Sequence, residues 1–206
     1  MGEPKAQLDW FGTPLLAHVC ERLRPALDGP IVVVAATDQA LPGLPRGVEV
    51  ARDERENRGP LEGIAAGLRA LGARAGAAYV SATDVPLLAP AVVELTRSAL
   101  GDGAEAAVPR LGDRMYPLTA AYRLSVLPVV DRLLAEERLR ALDLVEALAV
   151  RWLSEPELRA VDPELDSFRN VNTPADYRAA LQLVRERAFR PSPADIGRPP
   201  AGNDSA

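Results

Sequence analysis

Two short apolar runs frame the middle of the chain. Residues 30–37 and 77–83 are short, mostly apolar runs, the first rich in β-branched side chains, which is typical of strands buried on both faces of a parallel sheet. Between them, residues 60–71 begin with proline and carry apolar side chains at helical spacing. This strand–helix–strand order predicts a right-handed parallel crossover.

The same pattern predicts a helix at 13–24, with Thr13 as N-cap, Pro14 as first helical residue and Pro25 as its end. The later segments read as helices at 89–100, 126–137, 140–148 and 174–188, apolar runs at 105–109 and 116–122, and a strand at 150–153. We infer an α/β fold with a mostly parallel, doubly wound sheet. Because such a fold normally begins with a strand that feeds a glycine-rich turn, we expect the first strand to be missing.

Length and composition indicate one domain. A chain of 206 residues with 48% apolar and 26% charged residues is long enough for a well-buried core and has ordinary globular composition. Residues 190–206 are rich in proline and polar residues and too poor in apolar surface to fold, so we expect a domain at 1–189 and a disordered tail at 190–206.

Charge and composition exclude several classes of function. The net charge of −5 argues against broad attraction to nucleic acid or to an anionic membrane. One cysteine, Cys20, and one histidine, His18, exclude a disulfide framework and a Cys/His zinc site, and both lie in a predicted amphipathic helix where packing is the simpler role. Without a membrane-length apolar run or a signal peptide, the expected location is the cytoplasm.

A carboxylate follows the second predicted strand. Asp84 stands at its carboxyl end, where open α/β sheets bind ligands, and a carboxylate there is placed to hold Mg²⁺. The alternative is structural, because Asp84 can cap a turn that Pro86 makes rigid. The residues alone leave both readings open.

A charged loop leads into the next helix. It contains Asp53 and ends in Gly59, Pro60, Leu61 and Gly63, so free N–H groups at a helix start could face an anion or a base edge. A solvated loop before an ordinary helix explains the same residues.

Two asparagines and a lysine complete the candidates. Asn170 and Asn172 flank an apolar residue, so alternation directs both amides to one side, as in a site that reads a ligand. The helix start just beyond them is explained by Thr173 as N-cap. Lys5 offers a flexible ammonium for phosphates, although an N-terminal lysine is commonly just solvated.

Lys5 and Asp84 together supply what phosphoryl and nucleotidyl transfer need, a cation on the phosphates and a metal ligand near the reacting phosphorus. Since no nucleophile with a paired base is visible, direct attack by a phosphate substrate is the simplest mechanism.

In collinear order over about residues 1–185, six motifs of the chain resemble those of the molybdenum cofactor guanylyltransferases, which have the nucleotide-diphospho-sugar transferase-like fold. The motifs are Met1-Gly2-Glu3-Pro4-Lys5, Gly12-Thr13-Pro14-Leu15-Leu16, Asp53 with Gly59-Pro60-Leu61-Glu62-Gly63-Ile64, Asp84-Val85-Pro86-Leu87-Leu88, Pro117-Leu118-Thr119-Ala120-Ala121-Tyr122-Arg123 and Asn170-Val171-Asn172-Thr173-Pro174-Ala175-Asp176.

The resemblance implies a three-layer αβα fold and transfer of GMP from GTP to the terminal phosphate of molybdopterin, with release of pyrophosphate. It implies that Lys5 and Asp84 are catalytic, that Asp84 binds Mg²⁺, and that Asn170 and Asn172 face the acceptor or the metal. Nucleotide-binding residues would be Lys5, Asp53, Gly59, Pro60, Leu61, Gly63 and Asp84. Molybdoenzyme maturation proteins are further expected partners, whereas nucleic acid and membranes are not.

The chain departs from the family pattern at its start. Met1 aligns with an internal methionine of the family, so the first strand and the glycine loop are absent and we expect weak or no activity unless translation starts upstream. The alternatives are a cytidylyltransferase of the same fold and a non-catalytic homologue that binds maturation proteins. The segment from Gly59 to Ile64 favours guanylyl transfer.

Overall fold

The computed structural model describes residues 4–53, 59–101 and 103–188. Its strands are β1 (Asp9–Trp10), β2 (Thr13–Pro14), β3 (Ile31–Ala36), β4 (Val48–Asp53), β5 (Ala77–Ser81), β6 (Ala106–Leu111), β7 (Arg114–Met115), β8 (Thr119–Arg123) and β9 (Val150–Leu153). Its α-helices are α1 (Leu15–Leu23), α2 (Gly59–Leu71), α3 (Pro90–Ser98), α4 (Leu127–Ala135), α5 (Ala141–Glu146), α6 (Glu155–Val161) and α7 (Pro174–Ala188).

The larger strands form two separate sheets. β3 and β4 pair in parallel, from Ile31 opposite Val48 to Ala36 opposite Asp53. The second sheet contains β5, β8, β6 and β9 in that order, with β8 antiparallel to both neighbours and β6 parallel to β9. β7 forms a hairpin with β6, and β1 pairs with β2.

Helices cover both faces of these strands. Apolar residues of α2, α4 and α5 pack with β6 and β8 in one core cluster, and those of α1 and α3 pack with β3 in another. β5 contributes to both clusters, because its side chains alternate between the two faces: Ala78 and Val80 on one, Tyr79 on the other. The structure and its relatives confirm the predicted α/β class with helices on both faces.

A cleft lies between the two sheets. Residues of β3 and β5 line it, and helices α1 and α2 contribute further wall residues. Its volume is about 1180 Å³. Lys5 and Asp84 lie among its lining residues, so the cleft joins the interior of the fold to the candidate site.

The predicted start of the first helix needs correction, and two elements of the structure were not predicted. Thr13 is not an N-cap, because Thr13 and Pro14 form β2 and the helix begins at Leu15 after Pro14 in an extended conformation, with ψ of 139°. The polar strand β4 and the short helix α6 were not predicted. The predicted tail at 190–206 lies outside the described residues.

Candidate functional site

Four side chains from three distant parts of the chain meet at one point. Lys5 Nζ donates to Asp84 Oδ2 at 2.8 Å and to Asn172 Oδ1 at 2.6 Å. Asn170 Nδ2 donates to Asp84 Oδ1 at 2.9 Å. Both oxygens of the Asp84 carboxylate are therefore engaged, and we call Lys5, Asp84, Asn170 and Asn172 the polar cluster.

Local structure places the asparagines. Val171 is buried with 1% exposure and packs with Leu8, Trp10 and Leu15, while its N–H donates to the backbone oxygen of Asp84 at 2.8 Å. Because neighbouring residues of an extended segment point to opposite sides, burial of Val171 turns Asn170 and Asn172 toward the cluster. The predicted alternation at this segment is thus confirmed.

Hydrogen bonds at the N-terminus of α7 fix the end of the segment that contains Asn170 and Asn172. Thr173 Oγ1 accepts from the Asp176 N–H at 3.1 Å, and Asp176 Oδ2 accepts from the N–H groups of Thr173 and Asn172 at 2.8 and 3.1 Å. The side-chain hydrogen bond with Thr173 is the largest cause that lowers the pKa of Asp176 below its usual value; the backbone N–H of Thr173 lowers it further, and Lys5 adds a smaller effect. The N-cap predicted at Thr173 is confirmed and fixes Asn172.

Lys5 is distinctive in the sequence itself. It is the only lysine among the 24 basic residues; all others are arginines. Its side chain keeps 38% exposure, against 14% for Asp84, so it can reach solvent while the carboxylate is largely enclosed. Its rarity in the composition is a signal that singles out Lys5 independently of any motif.

The predicted nucleotide-side residues are divided between two cavities. Pro60 and Gly63 line the cleft that also contains Lys5 and Asp84. Asp53, at the end of β4, lines a neighbouring pocket of about 570 Å³ together with Arg52 and Glu62. The structure therefore does not bring Asp53 into the polar cluster.

Gly59 and Leu61 are engaged within the fold. Gly59 has a φ of +74°, and a Cβ atom there would lie 2.8 Å from the backbone oxygen of Leu139. Leu61 has 0% exposure, and its N–H donates to the same oxygen at 3.3 Å. Both residues thus fix the start of α2 against Leu139, and that contact positions Pro60 and Gly63.

The polar cluster offers oxygen donors to a metal. Among the described residues, no three His, Cys, Asp or Glu side chains come together as a metal site. Asp84 and Asn172 nevertheless present oxygens to one cation, the Lys5 ammonium. One carboxylate with an amide oxygen suits Mg²⁺, which keeps several water ligands and binds substrate phosphates, so the residues fit this metal.

His18 and Cys20 lie outside the polar cluster. His18 Nε2 hydrogen-bonds the Pro86 oxygen at 2.9 Å, and burial lowers its pKa. Burial raises the pKa of the Cys20 thiol to about 11, so the thiol stays protonated at neutral pH. These surroundings agree with the packing roles expected from the sequence.

The described part of the chain contains no helix long and apolar enough to cross a membrane.

Residues 1–150 match the family model described as "MobA-like NTP transferase domain".

Similar proteins cover nearly the same length. The chain is 35% identical to a probable molybdenum cofactor guanylyltransferase of Methanosarcina acetivorans, over 87% of this chain and 83% of that protein. It is also 35% identical to a molybdenum cofactor guanylyltransferase of Desulfosudis oleivorans, over 84% of each. The crystal structure of molybdopterin-guanine dinucleotide biosynthesis protein A from Archaeoglobus fulgidus superposes with a TM-score of 0.73 at 27% identity, over 90% of this chain and 92% of that one.

Proposed function

Because this chain belongs to the family of MobA-like NTP transferase domains, we propose that it transfers GMP from GTP to the terminal phosphate of molybdopterin. Family membership makes it a nucleotidyltransferase. The finer assignment is supported by two relatives named molybdenum cofactor guanylyltransferase, each matching more than four-fifths of the chain. The observation that carries the proposal is the polar cluster, where Lys5 meets Asp84 beside the cleft.

In the proposed reaction, a phosphate oxygen of molybdopterin attacks the α-phosphorus of GTP. The new phosphorus–oxygen bond forms as the bond to the bridging oxygen breaks, and pyrophosphate leaves with that electron pair. Mg²⁺ held by Asp84 would neutralise charge on the phosphates. The acceptor phosphate is already a nucleophile, so direct attack needs no base from the protein.

Lys5 has two roles in this proposal. In the free protein its ammonium donates hydrogen bonds to Asp84 Oδ2 and Asn172 Oδ1 and balances the carboxylate charge. The exposed, flexible side chain can turn to the phosphates of an incoming nucleotide, which frees the same two oxygens. The ammonium then neutralises phosphate charge without a large movement of the backbone.

The remaining assignments follow the family resemblance. The nucleotide side is formed by Asp53 and the segment from Gly59 to Gly63, which includes Pro60 and Leu61. Gly59 and Leu61 contribute by supporting the backbone of that segment. Asn170 and Asn172 form the acceptor side. Residues 1–189 constitute the transferase domain, and the reaction takes place in the cytoplasm, where maturation proteins of molybdoenzymes would receive the product.

The test is product formation. The purified chain, and a version extended upstream, are incubated with molybdopterin, Mg²⁺ and either GTP or CTP, and dinucleotide and pyrophosphate are measured. Guanine dinucleotide from the extended protein is the expected result. No dinucleotide with either nucleotide overturns the proposal, and product with CTP alone identifies a cytidylyltransferase.

Ligand binding separates the remaining alternative. A nucleotide that binds the native state raises the melting temperature, so GTP is expected to raise it more than CTP does. A non-catalytic homologue would show no turnover, and Asp84→Ala would leave its binding to a maturation protein unchanged.

A further inference from the structure

The hairpin of β6 and β7 lies at the same edge of the sheet as Asp84. β8 is antiparallel to both β5 and β6, so β5 and β6 run in one direction and their carboxyl ends lie at one edge. Asp84 follows β5, and the hairpin turn at Gly112 and Asp113 follows β6. Because open α/β sheets bind ligands outside the carboxyl ends of their strands, the hairpin adjoins the region of the candidate site.

A turn that begins at Tyr116 lies beside the chain segment leading into Asp84. The Tyr116 oxygen accepts from the Thr119 N–H at 3.0 Å, which closes the turn. Within this turn, the Leu118 oxygen accepts from the Ala82 N–H at 3.0 Å. Ala82 is two residues ahead of Asp84, and two residues of extended chain span about 7 Å. Tyr116 is therefore tied to the Asp84 side of the polar cluster.

The Tyr116 ring also contacts the segment that supplies the asparagines. It packs edge-on against the buried ring of Phe168, and the two ring centroids lie 4.8 Å apart. Phe168 is two residues ahead of Asn170, whose amide donates to Asp84. Tyr116 thus lies between the two chain segments that form most of the polar cluster.

Tyr116 supports an exposed arginine. Arg114 Cζ lies over the Tyr116 ring, 4.9 Å from its centroid. Arg114 is exposed, whereas Tyr116 is half-buried. Within residues 4–53, 59–101 and 103–188, no carboxylate forms an ion pair with Arg114, although Arg110 of the same hairpin pairs with Asp113 at 3.9 Å. The ring holds the guanidinium in place, and its charge and N–H donors stay available to a ligand.

A guanidinium suits a flat heterocycle as well as an anion. It is planar, stacks on π systems and offers five N–H donors in a fixed geometry. A pterin is a flat ring with carbonyl and ring-nitrogen acceptors. In the proposed reaction, the terminal phosphate of the acceptor lies at the polar cluster, so its pterin end extends away from Asp84. Arg114 is placed to receive that end.

We propose that Arg114, held over the Tyr116 ring, binds the pterin end of the acceptor and makes the transferase prefer a phosphate ester that carries a flat heterocycle. This inference rests on the proposed function for the identity of the acceptor. Arg114 is the binding residue, and Tyr116 is a positioning residue that acts through it.

Pterin binding without nucleotide tests this role apart from catalysis. Binding of hydroxymethylpterin phosphate to the full chain is followed by pterin fluorescence, and inorganic phosphate is the probe without a ring. Arg114→Ala is expected to weaken pterin phosphate binding roughly tenfold and to change phosphate binding less than about twofold. Arg110→Ala is the matched control, because Arg110 lies on the same hairpin but over the Trp152 ring, and it should bind as the parent does.

Conservative variants separate geometry from charge. Tyr116→Phe keeps the ring and should bind as the parent does, whereas Tyr116→Leu removes the ring and should lose part of the affinity. Arg114→Lys keeps the charge without the planar group, so it should recover little of the affinity. Full recovery by Arg114→Lys, or equal binding by the two Tyr116 variants, would contradict the proposal.

Transfer kinetics distinguish this inference from the proposed function. Where GMP transfer is measured, Arg114→Ala should raise the KM for molybdopterin roughly tenfold and leave kcat and the KM for GTP unchanged. Transfer with an unchanged KM overturns the role of Arg114 and leaves the proposed function standing. Pterin binding that depends on Arg114 in a protein without transfer activity supports the role while the proposed function falls. No saturable pterin binding by the parent, or an equal loss in Arg110→Ala, overturns the proposal.

Discussion

The strongest test of the polar cluster is the substitution Asp84→Asn. It replaces a carboxylate with an amide of nearly the same shape and removes the negative charge between Lys5 and Asn170. The backbone bond from the Val171 N–H to the oxygen of residue 84 does not depend on the side chain and should persist. The change therefore acts on charge and leaves the packing of the segment in place.

The expected magnitudes separate catalysis from stability. The Lys5–Asp84 pair spans 2.8 Å, but Lys5 is 38% exposed, so solvent screening limits its contribution to about 0.2–1 kcal/mol. At about 2–4 °C per kcal/mol for a domain of this size, the melting temperature should fall by no more than about 4 °C. Loss of a preorganised charge at the reacting group should reduce turnover by about 10²–10³-fold, or roughly 3–4 kcal/mol.

Two assays read these quantities. Guanylyl transfer is measured in the upstream-extended protein at saturating GTP and Mg²⁺, and binding of Mn²⁺–GTP is measured in the chain without an extension. Asp143→Asn is the matched control, because Asp143 also pairs with arginines but lies in α5, outside the polar cluster. An Asp84→Asn protein with turnover within threefold of the parent, or with unchanged Mn²⁺ binding, would refute the assigned role.

Three further predictions concern stability and reactivity. Gly59→Ala should lower the free energy of unfolding by about 1–3 kcal/mol, since φ is +74° and the new Cβ would meet the Leu139 oxygen. Gly63→Ala, which has open space around it in α2, should instead raise that free energy by about 0.5–1 kcal/mol. Denaturant unfolding measures both changes. Arginine hydrogen bonds hold the pKa of Asp143 at about 2, below its unfolded value near 3.8. Its contribution is therefore present above pH 4 and lost as pH falls toward 2, so the stability difference from Asp143→Asn should vanish in that window. Cys20, buried with a thiol pKa of about 11, should react slowly with a thiol reagent at pH 8 until the protein unfolds, and rapid labelling of native protein would contradict its packing role.

Local sequence patterns predicted those elements whose residue types directly indicate burial or a helix start. β3 and β9 have apolar runs that agree with the predicted strands, and α7 begins at the predicted proline after an N-cap threonine. β4 was missed because Glu49, Arg52 and Asp53 give it the polarity of a loop. α6 was missed although its capping box, Ser154 with Glu157, is readable in the sequence.

The site was harder to foresee than the fold. Lys5 contacts residues 79 and 167 positions away, and no local pattern encodes such distances. Order along the chain, taken from the family resemblance, suggested the residues but not their pairing. In the structure, Leu61 is a core residue, and Asp53 lines a pocket other than the cleft that contains Lys5 and Asp84. Both facts depend on how α2 packs, which the sequence pattern does not specify.

The single lysine has a practical consequence for chemistry on this protein. Apart from the terminal α-amine, the chain carries one primary amine, and it lies on the Asp84 carboxylate. An amine-directed reagent applied at mildly alkaline pH should therefore attach at most two groups per molecule, one at the terminal α-amine and one at residue 5, which mass spectrometry of peptides can tell apart. A bulky fluorophore fixed at residue 5 would report on events at the cluster without any engineered cysteine, and a nucleotide that engages the amine would slow its acylation.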